Sequence, residues 1–209
     1  MKKTHLATLI SFSIGILALA GCKQETPPAP ESTAVSPAPA ETAAAPEFPE
    51  RPFFGDTHLH TSYSVDAGAF GARLTPRDAY IFAKGNEVTA SSGQPAKLRR
   101  ALDWLVVADH SDAMGLFPML LNGTPEVMAD AQGKKWHDMI TSGQGNAAAI
   151  DIITNFSLGK ISPAILPLPG TKAYASAWQD TIKAAEDAND PGKFTAFIGY
   201  EWTSNTGGN

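Results

Sequence analysis

Trp104-Leu105-Val106-Val107-Ala108 is a continuous apolar run, and Asp109-His110 follows it at once. Such a run, with two β-branched valines at its centre, predicts a strand buried on both faces, as in a parallel sheet covered by helices. Working outward, Phe53 to His60 is an apolar-rich run behind Pro52, and Phe194 to Tyr200 is another, set off by the turn Asp190-Pro191-Gly192. The latter is also expected to be buried on both faces. Between the first two runs, Thr75-Pro76-Arg77-Asp78 carries the N-cap threonine and first-turn proline of a helix, with Gly85 as its stop. Residues 86 to 97 gather Asn, Ser, Gly and Pro and read as a loop. Residues 112 to 121, 125 to 141, 145 to 158 and 173 to 188 read as helices, the last two rich in Ala with apolar residues at helical spacing. The order strand, helix, strand, several helices, strand predicts an α/β fold with parallel strands.

The composition limits the function classes. The chain has 209 residues, 43% hydrophobic and 18% charged, which suits a soluble globular protein. Sixteen Lys and Arg against 21 Asp and Glu leave a charge of −5, so no basic surplus exists to neutralise a phosphate backbone, and no nucleic-acid partner is expected. A single cysteine removes a disulfide framework and any thiolate zinc cluster. No internal repeat is present.

That cysteine is placed by what precedes it. Met1-Lys2-Lys3 is a basic start, and Leu6 to Ala20 is a run of 15 mainly apolar residues. It falls short of the about 20 that a spanning helix needs and has the size of a secretory-signal core. It ends in Leu19-Ala20-Gly21-Cys22, which resembles the lipobox of bacterial lipoproteins. The resemblance implies that residues 1–21 are removed and that Cys22 carries lipid. With Lys23 rather than Asp next, it implies an outer-membrane anchor facing the periplasm. Beyond the cysteine, residues 23 to 50 hold seven of the 16 prolines, seven alanines and five glutamates. Such a stretch buries too little surface to offset its ordering entropy, so 22–50 is expected to be a disordered tether and 51–209 the folding part.

The chemistry-bearing residues collect at the ends of the three strands. Asp56-Thr57-His58-Leu59-His60 sets Asp56, His58 and His60 on one face by the period-two alternation of a strand. Two imidazoles aimed the same way from a rigid strand suit a divalent metal. Asp66 lies six residues beyond His60, able to fold back onto the same ion. Asp109-His110 ends the second strand and Glu201 directly follows the third. In parallel α/β barrels the carboxyl ends of the strands form the active site. His137 reads as a surface or half-buried helix residue, Gly143-Gln144-Gly145-Asn146 as a turn, and Tyr200 and Trp202 as packing groups, with shaping a pocket beside Glu201 as the alternative.

Asp56-Thr57-His58-Leu59-His60-Thr61, then Asp66, then Leu74-Thr75-Pro76, then Val107-Ala108-Asp109-His110-Ser111-Asp112, together resemble the PHP superfamily (polymerase and histidinol phosphatase). Arg51-Pro52-Phe53-Phe54-Gly55-Asp56 and Gly199-Tyr200-Glu201-Trp202-Thr203 more closely resemble its exported bacterial branch, domain of unknown function 3604. The resemblance covers most of residues 51 to 209. It implies the amino-terminal part of a distorted seven-stranded β/α barrel with two or three divalent metal ions (Zn, Mn or Fe). It implies His58, His60, Asp66 and His110 as metal ligands and Glu201 as a bridge between metals. Asp109 is a catalytic-site residue that supports rather than ligates, since neighbours on a strand point oppositely. Arg73 and Arg77 are the candidates for a substrate phosphate. The implied activity is hydrolysis of a phosphoester, a small molecule, by a metal-activated water.

The chain departs from the family pattern in three ways. Ala108 stands where Thr is usual, residues 86 to 98 and the helices between 112 and 188 are insertions, and the later histidines and closing Asp-x-His are missing. A closed barrel takes about 250 residues, so the expectation is an incomplete barrel, the amino-terminal piece of a longer enzyme and inactive alone. A non-catalytic, metal-binding periplasmic lipoprotein is the alternative, and an amidohydrolase-type barrel, which also uses His-x-His on its first strand, is a narrower one.

Overall fold

The computed structural model describes residues 50 to 203; the signal segment, Cys22 and all of the tether but Glu50 lie outside the described residues. The described strands and helices belong to one compact unit. Its elements are β1 (Gly55–Leu59), α1 (Val65–Ala69), α2 (Pro76–Ala83), β2 (Val88–Thr89), β3 (Pro95–Ala96), β4 (Trp104–Val107), α3 (Leu116–Asn122), α4 (Pro125–Ala129), α5 (Ala131–Thr141), α6 (Gly145–Ser157), α7 (Lys172–Ala188) and β5 (Thr195–Ile198). Strands β1, β4 and β5 form one parallel sheet in that order, with β4 in the middle. The fold is therefore α/β with a parallel sheet. Among the described residues the sheet has three strands and does not close.

Helices α2 and α7 cover one face of this sheet. Leu105 and Val107 of β4 are fully buried there against Tyr80 and Ala83 of α2, Ala184, Ala185 and Ala188 of α7, and Phe194. The start of α2 follows the sequence expectation: the Thr75 side chain accepts from Asp78 N–H, the Asp78 side chain accepts from Thr75 N–H, and Pro76 stands in the first turn. The opposite face has no such cover. Trp104 and Val106 are half-buried, and Phe197, the register partner of Val106, is 50% exposed. The expected burial of β4 and β5 on both faces is thus corrected, because the helices pack on one side only.

The residues between β4 and β5 build a second core. Phe117 and Leu120 of α3, Trp136 and Ile140 of α5, and Ile152 of α6 are buried together with Val127, Ile161 and Ile165. The single helix expected over 125 to 141 is two. Asp130 breaks it, ending α4 and capping α5 by accepting from Gln132 and Gly133 N–H at 2.9 and 2.8 Å. The helix expected from 112 begins at Leu116, after a turn in which Ala113 (φ 53°) and Gly115 (φ 92°) adopt left-handed conformations. The expected loop 86 to 97 contains the small antiparallel pair β2–β3, and α1 is a short helix with no sequence-level expectation.

Candidate metal centre

β1 carries one extra residue against β4: Gly55 and Asp56 register with Trp104 and Leu105, but Leu59 registers with Val107. Such a bulge re-aims the side chains that follow it. Asp56 and Leu59 both register with residues of the helix-facing side, so His58 turns to the open face while Asp56 does not follow it. The Asp56 carboxylate instead accepts from its own strand's His58 N–H at 2.8 Å. The expectation of Asp56, His58 and His60 on one face is corrected accordingly; the two histidines converge, with ring centroids 4.9 Å apart.

The sheet ladder continues past the strands and aligns the other two motifs. Glu201 N–H donates to Asp109 O at 3.0 Å and Ser111 N–H donates to Glu201 O at 2.9 Å, so His110 and Glu201 lie side by side. His60 and His110 rings stand edge to face at 5.0 Å. Five ligand-type side chains thus meet, in two overlapping groups: His58, His60 and Glu201, and His60, Asp66 and His110. Within each group the candidate ligand atoms lie within 4.8 Å of one another, and His60 belongs to both.

Contacts among these groups are close. Glu201 Oε2 lies 2.9 Å from His58 Nε2, 2.8 Å from His60 Nε2 and 3.8 Å from His110 Nε2. Asp66 faces His60 Nδ1 at 3.1 Å and His110 Nε2 at 3.5 Å, and it accepts from Ser64 Oγ and Ala67 N–H. Burial opposes ionisation of Asp66, but the hydrogen bonds from His110, Ser64 and Ala67 outweigh it and hold its carboxyl far below the usual range. The same pair raises His110: the hydrogen bond to Asp66 favours the imidazolium against partial burial. Glu201 is lowered, burial being outweighed by His58 and the neighbouring imidazoles.

Asp109 is buried and turned away from this cluster. Its two oxygens accept from Thr61 N–H and from Thr61 Oγ at 2.6 Å, fixing the chain immediately after His60. Burial pushes its pKa up, against the two hydrogen bonds from Thr61. Arg73 and Arg77 are engaged elsewhere. Arg73 donates to Gly68 O and Ala72 O and stacks over Phe117; Arg77 pairs with Asp187 of α7. His137 donates to or accepts from no cluster group; its Nδ1 sits 2.7 Å from Leu120 O.

Sequence reasoning missed the residues that orient the ligands. Ser64 is fully buried; its Oγ donates to Asp66 and accepts from His110 N–H, joining the start of α1 to the end of β4. Thr203 Oγ lies 2.7 Å from His110 Nδ1. The only sequence signal was the run of hydroxyl residues Thr61, Ser62, Tyr63 and Ser64 between His60 and Asp66.

The donor set fits a divalent metal. His60 Nε2 is buried and, among the described residues, has no hydrogen-bond partner. Glu201 Oε2 lies 2.8 Å away without forming a hydrogen bond to it. A buried imidazole nitrogen without a partner is costly unless something coordinates it. Three imidazoles and two carboxylates form a mixed N/O set acceptable to Zn, Mn or Fe. No curated protein and no solved structure matches the chain. The family model described as protein of unknown function (DUF3604) matches residues 47–209, and the chain belongs to that family.

Proposed function

We propose that this chain carries the metal centre of a PHP-type hydrolase of phosphoesters, exported and held at the outer membrane by lipid on Cys22, on a sheet that forms part of a distorted β/α barrel. The observation that carries this reading is the convergence of His58, His60, His110 and Glu201 from three parallel strand ends with Asp66 from α1, and His60 Nε2 left without a hydrogen-bond partner. These five residues would hold two divalent ions. A divalent ion bound there supplies Lewis acidity toward water and toward a developing phosphoryl charge.

The chain's own residues do the positioning. Thr61 and Asp109 lock the backbone behind His60, and Ser64 orients Asp66 while holding the His110 backbone. Thr203 fixes the His110 ring through Nδ1, leaving Nε2 toward Asp66 and Glu201. Glu201 reaches both His58 and His60 through Oε2, and would share their ion.

The test is hydrolysis of p-nitrophenyl phosphate and bis-p-nitrophenyl phosphate by the protein as purified from its native cells, with added manganese or zinc. Chelator-sensitive turnover that His60→Ala abolishes is expected; metal binding without turnover of either ester would sink the hydrolase reading. One observation favours a second reading, a non-catalytic metal-binding lipoprotein: both candidate phosphate-binding arginines have their guanidinium groups committed away from the cluster. Labelled lipid incorporation that Cys22→Ser abolishes tests the anchor.

A further inference from the structure

Next to the metal cluster lies a cavity of about 350 Å³ whose walls are Phe156, Leu166, Leu168, Tyr174, Tyr200 and Trp202. Its position follows from the chain. Tyr200 and Trp202 flank Glu201, and with Glu201 turned to the imidazoles, its two neighbours turn the other way. At the cluster end, the lining includes Ser111 and Asp112, directly after His110. Asp112 Oδ2 is 3.8 Å from His110 Nδ1, so the cavity comes within one side chain of the His110 ring.

The walls favour a particular occupant. Trp202 is 66%, Tyr200 54% and Leu168 52% exposed, a group of large apolar side chains left in solvent at the mouth of a site. Trp178 packs edge-on against Tyr200 at 5.9 Å and holds that ring in place. An apolar cavity of about 150 Å³ accommodates a benzene molecule, so this one has room for an aromatic ring and its linkage. Hydroxyl-rich groups would lose their water here with few partners in return. A second anionic group would meet the Asp112 carboxylate.

We infer that this cavity is the subsite for a flat, uncharged apolar group, such as an aromatic ring, borne by the substrate whose ester is cleaved at the neighbouring metal centre. The inference rests on the hydrolase reading and narrows its substrates to aryl-type esters, away from sugar phosphates and nucleotides.

Two measurements on the full chain test it. The first needs no metal: fluorine NMR of 4-fluorobenzyl alcohol, with Leu168→Asp and Trp202→Ala as variants at exposed positions. Line broadening by the wild type that both variants abolish is expected. The second is calorimetry with manganese, comparing phenylphosphonate with methylphosphonate. The phenyl compound should bind about tenfold more tightly, and the ratio should fall toward one in both variants. Absence of broadening, broadening that both variants retain, or equal affinity for the two phosphonates would overturn the inference. Variant-sensitive broadening without manganese-dependent binding of either phosphonate would overturn the substrate assignment through the hydrolase reading, while leaving the cavity's ring binding intact.

Discussion

His60 Nε2 lies 2.8 Å from Glu201 Oε2 and yet makes no hydrogen bond with it. The two groups are brought together by the strands, not by each other: His60 follows the bulged end of β1, and Glu201 is held by backbone hydrogen bonds to Asp109 and Ser111. Their approach leaves a lone pair and a carboxylate facing the same space, the arrangement of two ligands around a third partner.

Metal addition should therefore stabilise the chain. A ligand that binds only the native state adds about 2.7 kcal/mol at 100 times its dissociation constant, so manganese or zinc should raise the melting temperature. His60 belongs to both ligand groups. His60→Ala should remove the whole shift, whereas His58→Ala and Asp66→Ala should each leave a smaller one. Scanning calorimetry with and without chelator reads this; an undiminished shift in His60→Ala would refute the shared role.

Thr61 should matter as much for metal binding as for folding. It supplies both hydrogen bonds to the buried Asp109 carboxylate. Thr61→Val removes the hydroxyl one and keeps the backbone one, at about 1–3 kcal/mol for an underserved buried carboxylate. The loosened segment also carries His60, so metal affinity should fall about 10- to 100-fold, as when an outer support of a ligand is lost. Urea unfolding of the metal-free protein and metal titration measure the two effects separately. Unchanged affinity in a destabilised variant would confine Asp109 to a structural role.

The parallel α/β sheet was legible because it depends on local runs, three apolar segments and a Thr-Pro helix start, and the His and carboxylate residues that end those runs are ones the structure brings together. What failed depends on non-local registry. The bulge in β1 is visible only when β1 is laid against β4, so strict alternation wrongly kept Asp56 with His58 and His60. Burial on both faces was inferred for β4 and β5 from their apolar runs, but the helices α2 and α7 pack on one side. The Arg77 guanidinium was unreadable for the same reason, since its partner Asp187 lies in α7; Arg73 instead donates to the nearby backbone carbonyls of Gly68 and Ala72, which no side-chain pattern signals.

Asp130 could have been read as a boundary, and it carries a pH-dependent prediction. Its side chain caps α5 and accepts from Ser162 Oγ at 2.7 Å. The Ser162 and Gly133 hydrogen bonds hold its pKa below the usual carboxylate value. A lowered native pKa means that the ionised form stabilises the fold above the unfolded value, about 3.9, and that this contribution is lost as the pH falls below it. Asp130→Ala should cost about 1 kcal/mol at pH 7 and less at pH 3. Urea midpoints at both values check this; an equal cost at both would show that the charge contributes nothing.

Gly55 should tolerate no side chain. It is the register partner of Trp104, whose indole lies across it: a Cβ at position 55 would fall 2.1 Å from Trp104 Cδ2. The same indole packs edge-on against Phe197 of β5 with centroids 6.1 Å apart, so one ring ties all three strands on the open face. Gly55→Ala must push the indole off both contacts, costing about 1–3 kcal/mol as overpacking does. A double-mutant cycle separates this from a backbone effect. If the clash is the cause, Gly55→Ala adds little to Trp104→Ala, and the coupling is nearly the whole single-mutant cost. Additive costs would place the requirement for glycine in the strand backbone and leave the indole a bystander.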